Sequence, residues 1–152
     1  MNRSWYYNYI EGKLNTLSVR ISRRNKQNLT ELNIHAESFF AELMNHLLGY
    51  HLQNLNRMKR NMSGIDLIDE DNKVIMQVSA TCTRQKIEHS LARDILQDYS
   101  GYHFCFIAIS GEADNLRTKS YQNPYNVTFT PKTDIYDIQS LLDIVLYMDI
   151  HK

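Results

Sequence analysis

The sequence predicts an α/β domain, a central mixed β-sheet flanked by α-helices, with one further helix at the N-terminus. Three stretches carry this expectation. Residues 35–50, HAESFFAELMNHLLGY, place apolar side chains at Phe39, Phe40, Leu43, Met44, Leu47 and Leu48, the i, i+3/i+4 stripe of a helix with one buried face. Residues 102–110, YHFCFIAIS, form a nearly continuous apolar run, as in a central strand covered on both sides. Residues 64–80, GIDLIDEDNKVIMQVSA, read as two short strands joined by an acidic turn. Helical and strand periods thus alternate, the pattern of helices layered on a sheet.

In chain order, the aromatic cluster Trp5, Tyr6, Tyr7 and Tyr9 and then Ile10, Leu14 and Leu17 predict a helix over 5–17. Arg20, Arg23, Arg24 and Lys26 follow in the most basic segment of the chain, either a solvated connector or a stretch that contacts phosphates. The helix over 35–50 ends at Gly49, a C-cap residue. On it Glu37 borders the apolar stripe near the expected N-terminal end, where the helix dipole favours a carboxylate. His35, His46 and His51 are irregularly spaced and make no zinc motif. A polar loop over 51–63 brings Arg57, Lys59 and Arg60 to the hairpin.

The first hairpin strand is expected over Ile65–Ile68, with Asp66 on the face opposite to Ile65 and Leu67. Glu70, Asp71 and Asn72 supply the turn. The second strand, over Lys73–Ala80, sets Lys73, Ile75, Gln77 and Ser79 on one face, so Asp66 and Gln77 can meet across the hairpin. A carboxylate, a side-chain amide and a strand carbonyl are the oxygen donors that a hard divalent cation requires. The alternative is an Asp66 that is solvated or caps a turn. Beyond the hairpin, Ile87, Leu91, Ile95 and Leu96 mark the inner stripe of a helix from Thr81–Thr83 to about Tyr99. Residues 111–119 read as a polar loop, Asn126–Thr130 as a short strand before Pro131, and Asp134–Met148 as a closing amphipathic helix.

The 152 residues make one domain, an N-terminal helical extension over 1–30 and a core over 33–150, long enough to bury a real core. Cys82 and Cys105 are too few for a disulfide framework or a four-ligand zinc site. There is no apolar leader and no run of membrane-spanning length, so the expectation is a cytoplasmic chain with no membrane partner. Seventeen basic and seventeen acidic residues cancel, and contact with nucleic acid would have to come from local patches.

The order helix, two strands, helix, strand, strand, helix resembles the PD-(D/E)xK nuclease core. At GIDLID followed by IMQVS the chain resembles the Mrr-like restriction endonuclease pattern, a GxD strand and then QxK, with a glutamate on the preceding helix. Asp66 matches the metal-binding aspartate, Gln77 the acidic-or-Gln position and Glu37 the helix glutamate, while Ser79 stands where the pattern has lysine. Over the whole chain, HAESFF, LLGY, GIDLID and QVSAT resemble the bacterial SMEK domain. The nuclease resemblance implies a restriction-endonuclease-like core and, for an active site, Mg²⁺ or Mn²⁺ held by Asp66, Glu37 and Gln77. It implies phosphodiester hydrolysis through those three, with Lys86 from the next helix replacing the missing lysine. Arg57, Lys59, Arg60, Arg84 and Lys86 would form a rim for DNA or RNA. The SMEK resemblance implies a setting in bacterial defence, with partner proteins and self-association. Ser79 favours an alternative, a nuclease-fold module that has lost catalysis and serves binding or oligomerisation in a multicomponent defence system.

Overall fold

The computed structural model describes residues 8, 10–16, 30–55 and 65–151, with the backbone alone at 30–35 and 148–151. Five strands form one sheet in the order β1-β2-β3-β4-β5. They are β1 Gln53–Asn54, β2 Leu67–Asp69, β3 Val74–Ser79, β4 His103–Ala108 and β5 Ile135–Tyr136. β2 pairs antiparallel with β1 and β3, and β4 pairs parallel with β3 and β5, so the sheet is mixed as expected. The helices are α1 (10–16), α2 Thr30–Leu48, α3 Arg84–Leu91, α4 Asp114–Arg117, α5 Pro131–Asp134 and α6 Ile138–His151. Among the described residues no helix is long and apolar enough to cross a membrane.

Period-two alternation divides the core between the two faces of the sheet. Leu67, Val74, Met76, Cys105 and Ile107 pack with Phe40 and Met44 of α2, Leu141 and Val145 of α6, and Ile10 and Leu14 of α1. Ile68, Ile75, Phe104, Phe106 and Ala108 pack on the other face with Ile87 and Leu91 of α3 and with Leu96. Phe40, Met44, Ile75, Phe104 and Phe106 are fully enclosed. Each such side chain contributes about 1.5–3 kcal/mol of burial, which fixes both helices against the sheet.

Several boundaries depart from the sequence-based expectation. The strand expected at Ile65–Ile68 runs over Leu67–Asp69, so Asp69 ends it and Asp66 stands just before it. Asp69 is the turn cap: its carboxylate accepts the N–H groups of Asn72 (2.9 Å) and His51 (2.7 Å) and the side-chain amide of Asn72 (2.7 Å). Residues Gln53–Asn54, in the expected loop, add β1 to the sheet edge. The expected helix to Tyr99 ends at Leu91, because Arg93 is extended (φ −69°, ψ 133°), and resumes as a 3-10 helix over Asp94–Tyr99. The strand expected at Asn126–Thr130 is a single bridge, His103 with Thr128. The fifth strand lies instead at Ile135–Tyr136, where a helix was expected, after the one-turn α5 that Pro131 begins. Gly49 does close α2, at φ 72° and with its N–H on Asn45 O (3.0 Å).

Candidate functional site

The pairing of Leu67 with Met76, carried back one residue, sets Asp66 opposite Gln77, and the N–H of Asp66 donates to Met76 O (2.9 Å). The Gln77 side chain lies on the α3 side of the sheet. Beyond the end of β2 the ladder would leave the N–H of Val78 unmatched, and Asp66 Oδ2 accepts it at 2.8 Å. Gln77 is buried, and its Oε1 accepts a hydrogen bond from the hydroxyl of Ser90 on α3. A carbonyl oxygen has two lone pairs, so this contact fixes the amide and leaves one pair for a further partner.

α3 starts at Thr83, whose hydroxyl accepts the N–H of Lys86 (3.1 Å). Its apolar stripe, Ile87 and Leu91, is bound to the core, and this turns Lys86, His89, Ser90 and Arg93 toward the ends of β2 and β3. There they enclose a cavity of about 310 Å³ together with Ala36, Glu37, Asp66, Gln77, Val78, Ser79, Ala80, Thr81 and Ile109. Arg93 Nη2 donates to His89 Nε2 (2.7 Å). The enclosed Nε–H of Arg93 has no hydrogen-bond partner among the described residues, a state that costs about 1–3 kcal/mol unless an acceptor meets it.

Glu37, Asp66, Gln77, Ser79 and Lys86, singled out from sequence spacing and family pattern, therefore reach one cavity from α2, β2, β3 and α3. Their roles differ from a simple reading of the pattern. α2 begins at Thr30, so the buried Glu37 sits about two turns inside the helix, and proximity to the helix N-terminus does not explain it. Ser79, at the lysine position, spends its hydroxyl on a local turn, donating to Thr81 O (2.9 Å) and accepting Thr81 N–H (3.0 Å). Arg84 is not a cavity residue: it pairs with Glu88 (3.1 Å) and lies over the ring of Tyr121. Arg57, Lys59 and Arg60 lie outside the described residues.

Pattern reading passed over His89, Ser90 and Arg93. Their spacing from Lys86, three, four and seven positions, is one helical face and was available as a signal. Two carboxylates and an amide oxygen suit a hard cation that keeps several waters. Among the described residues, the groups of three His, Cys, Asp or Glu donors within 4.8 Å of one another lie elsewhere, at His103–Cys105–Asp134 and His51–Asp69–Asp71.

The SMEK domain family profile matches residues 9–146. The chain belongs to the SMEK domain family. The match takes in every element of this SMEK domain from α1 to most of α6, and all the cavity residues. No curated protein and no solved structure matches the chain. The cavity in this SMEK domain is therefore read from its own residues.

Proposed function

We propose that the domain is a nuclease-like module that grips a nucleic-acid phosphate in this cavity and hydrolyses the phosphodiester with a divalent cation. One observation carries the reading: acidic, amide and cationic side chains from four separate elements, Glu37, Asp66, Gln77 and Lys86, line the same cavity. The proposal includes a restriction-endonuclease-like core and a setting in bacterial defence. The all-oxygen donor set fits Mg²⁺ or Mn²⁺, which Asp66, Glu37 and Gln77 would hold. When bound, such an ion supplies a hydroxide-like water and neutralises phosphate charge.

The chain's own groups account for the rest. The N–H of Val78 holds the Asp66 carboxylate, and Ser90 holds the Gln77 amide, so neither has to be ordered when substrate arrives. Lys86 takes over the electrostatic work of the absent motif lysine, because the hydroxyl of Ser79 is committed to Thr81. Fixed cations facing the charge that develops at a reacting phosphate are worth about 3 kcal/mol each. Arg93, with its unmatched Nε–H, offers a second donor to an anion.

A second reading has one observation in its favour. With Ser79 closed on itself, the strand presents no cation where the family pattern has one, as in a module that binds without cutting. Pure protein incubated with plasmid, single-stranded DNA and RNA in Mg²⁺, Mn²⁺ or EDTA decides between them. Metal-dependent cleavage that Asp66→Asn abolishes is the expected result. Salt-sensitive binding without cleavage selects the binding module, and neither cleavage nor binding removes nucleic acid from the site.

A further inference from the structure

We propose that His103, Cys105 and Asp134 form a second site, for a borderline-soft divalent metal ion of the zinc type, with one coordination position open to a further ligand. His103 and Cys105 are alternate residues of β4 and share the face that packs on α2 and α6. Asp134 closes α5, and the pairing of Phe106 with Ile135 draws it alongside. Nε2 of His103 is 2.7 Å from Asp134 Oδ1 and 3.9 Å from Cys105 Sγ, and the three donor atoms all lie within 4.8 Å of one another. In tetrahedral zinc coordination, neighbouring N, O and S donors stand about 3.3–3.8 Å apart. The donors reach those spacings by shifts of about an ångström or less.

The chemistry of the donor set selects the ion. Imidazole, thiolate and a single carboxylate suit zinc, cobalt or nickel, whereas magnesium and calcium take oxygen. The carboxylate is held from behind, Oδ2 accepting the N–H of Thr130 (2.6 Å) and Oδ1 the hydroxyl of Thr133 (3.2 Å), as metal-binding carboxylates are. Charge balances as well. On binding, Cys105 gives up its thiol proton and His103 frees Nε2, so thiolate and carboxylate together match the two positive charges of the ion. Without an ion, burial and the neighbouring Asp134 push the Cys105 thiol up. The mouth of the site is His103, whose side chain is 35% exposed, while Cys105 is fully enclosed. Tyr50 and Tyr136 stand close enough to interact electrostatically with Cys105 and Asp134.

This site is independent of the cavity. His103 pairs with Val74 at the start of β3, whereas Gln77 and Ser79 lie further along it and project to the other face. The test is titration of metal-stripped protein with Co²⁺ and then Zn²⁺, monitored by the near-ultraviolet charge-transfer band of a cobalt–thiolate bond. One Co²⁺ per chain with that band, displaced by Zn²⁺, is expected in the wild type, in Cys82→Ser and in Asp66→Asn. Cys105→Ser and His103→Ala should lose the band. Asp134→Asn, which keeps an oxygen but not the charge, should weaken Co²⁺ binding about 10- to 100-fold. Circular dichroism checks that each variant is folded. No band in the wild type, which needs no variant to interpret, overturns the site, and so does a band that persists in Cys105→Ser. Loss of the band in folded Asp66→Asn would mean that the thiolate site is not independent of the cavity, and overturns the proposal equally.

Discussion

Asp66 Oδ2 accepts the backbone N–H of Val78, so the carboxylate at the cavity also completes the hydrogen bonding of the central strand. Mutual repulsion between Asp66 and Glu37 would make removal of Asp66 cheap in stability, but this bond works the other way. Asp66→Ala should destabilise by about 1–3 kcal/mol, and Asp66→Asn, which retains an acceptor, by less. With Mn²⁺ at about 100 times its dissociation constant, the wild type should gain about 2.7 kcal/mol, or roughly 5–10 °C in Tm. Asp66→Asn should lose most of that rise. Identical melting curves for wild type in EDTA and in millimolar Mn²⁺ would end the case for a metal at Asp66.

Lys86 and Arg84 make a matched pair of controls two residues apart. Lys86 lines the cavity, and Arg84 is committed to Glu88 and Tyr121. Lys86→Met should reduce metal-dependent cleavage about 100-fold, the equivalent of ~3 kcal/mol, with little change in Tm. Arg84→Met should leave cleavage within about two-fold, since an exposed i, i+4 ion pair is worth about 0.3–0.5 kcal/mol. Equal losses in both variants would mean that general surface charge, not placement in the cavity, matters.

Binding to single-stranded DNA should weaken as salt rises. Removing the charge of Lys86 or Arg93 should lower the slope of log K against log salt by about one each if each meets a phosphate. Fluorescence anisotropy over a salt series measures this. A slope unchanged in both variants would place any phosphate contacts elsewhere.

Asp137 holds the start of α6 in a reciprocal cap: its Oδ1 accepts the N–H of Ser140 (2.8 Å), and Ser140 Oγ accepts the N–H of Asp137 (2.9 Å). Oδ2 also accepts the N–H of Ala113 (2.9 Å) and lies 3.3 Å from Arg117 Nη2. Burial, the largest influence, would raise this carboxyl, but the N–H groups of Ser140 and Ala113 and the Arg117 charge together hold it below the ordinary 3.8. A lowered native value means that its stabilisation is complete above pH 3.8 and is lost as pH falls through the lowered value. Asp137→Ala should cost about 1–3 kcal/mol, since it leaves the buried N–H of Ala113 without its acceptor, while Arg117 keeps Asp114 and the carbonyl of Ile135. Asp137→Asn should show a shallower loss of stability in acid than the wild type. Urea unfolding across the acid range tests both.

What the sequence disclosed followed the strength of its periodicities. α2, β3 and β4 carry long regular patterns that tertiary packing reinforces, and the register of Asp66 against Gln77 follows from period two alone. β1 and β5 are two residues each, too short to carry a period, and their places come from the neighbouring strands. Asp69 was hidden for a related reason, since its cap draws on the N–H of His51, a contact distant in sequence. In the cavity, Lys86 was found as one of two cations, with Arg84, that begin the next helix and could reach back to Ser79. Ser90 and Arg93 were not assigned to the cavity because the polar side of the expected helix to Tyr99 has the composition of a solvated helix face. Only the packing of Ile87 and Leu91 against the sheet shows where that polar side points.

The strands lie side by side in the order in which they occur along the chain. Each strand, as it leaves the ribosome, finds its neighbour already made and joins an existing edge, with no gap to be filled by a later segment. The parallel connections from β3 to β4 and from β4 to β5 still require their intervening helices to fold back first, and they set the pace of this growth. Until β4 docks, Ile75 and Gln77 are open to solvent along one edge of the hairpin, which makes the nascent hairpin the stage most exposed to aggregation.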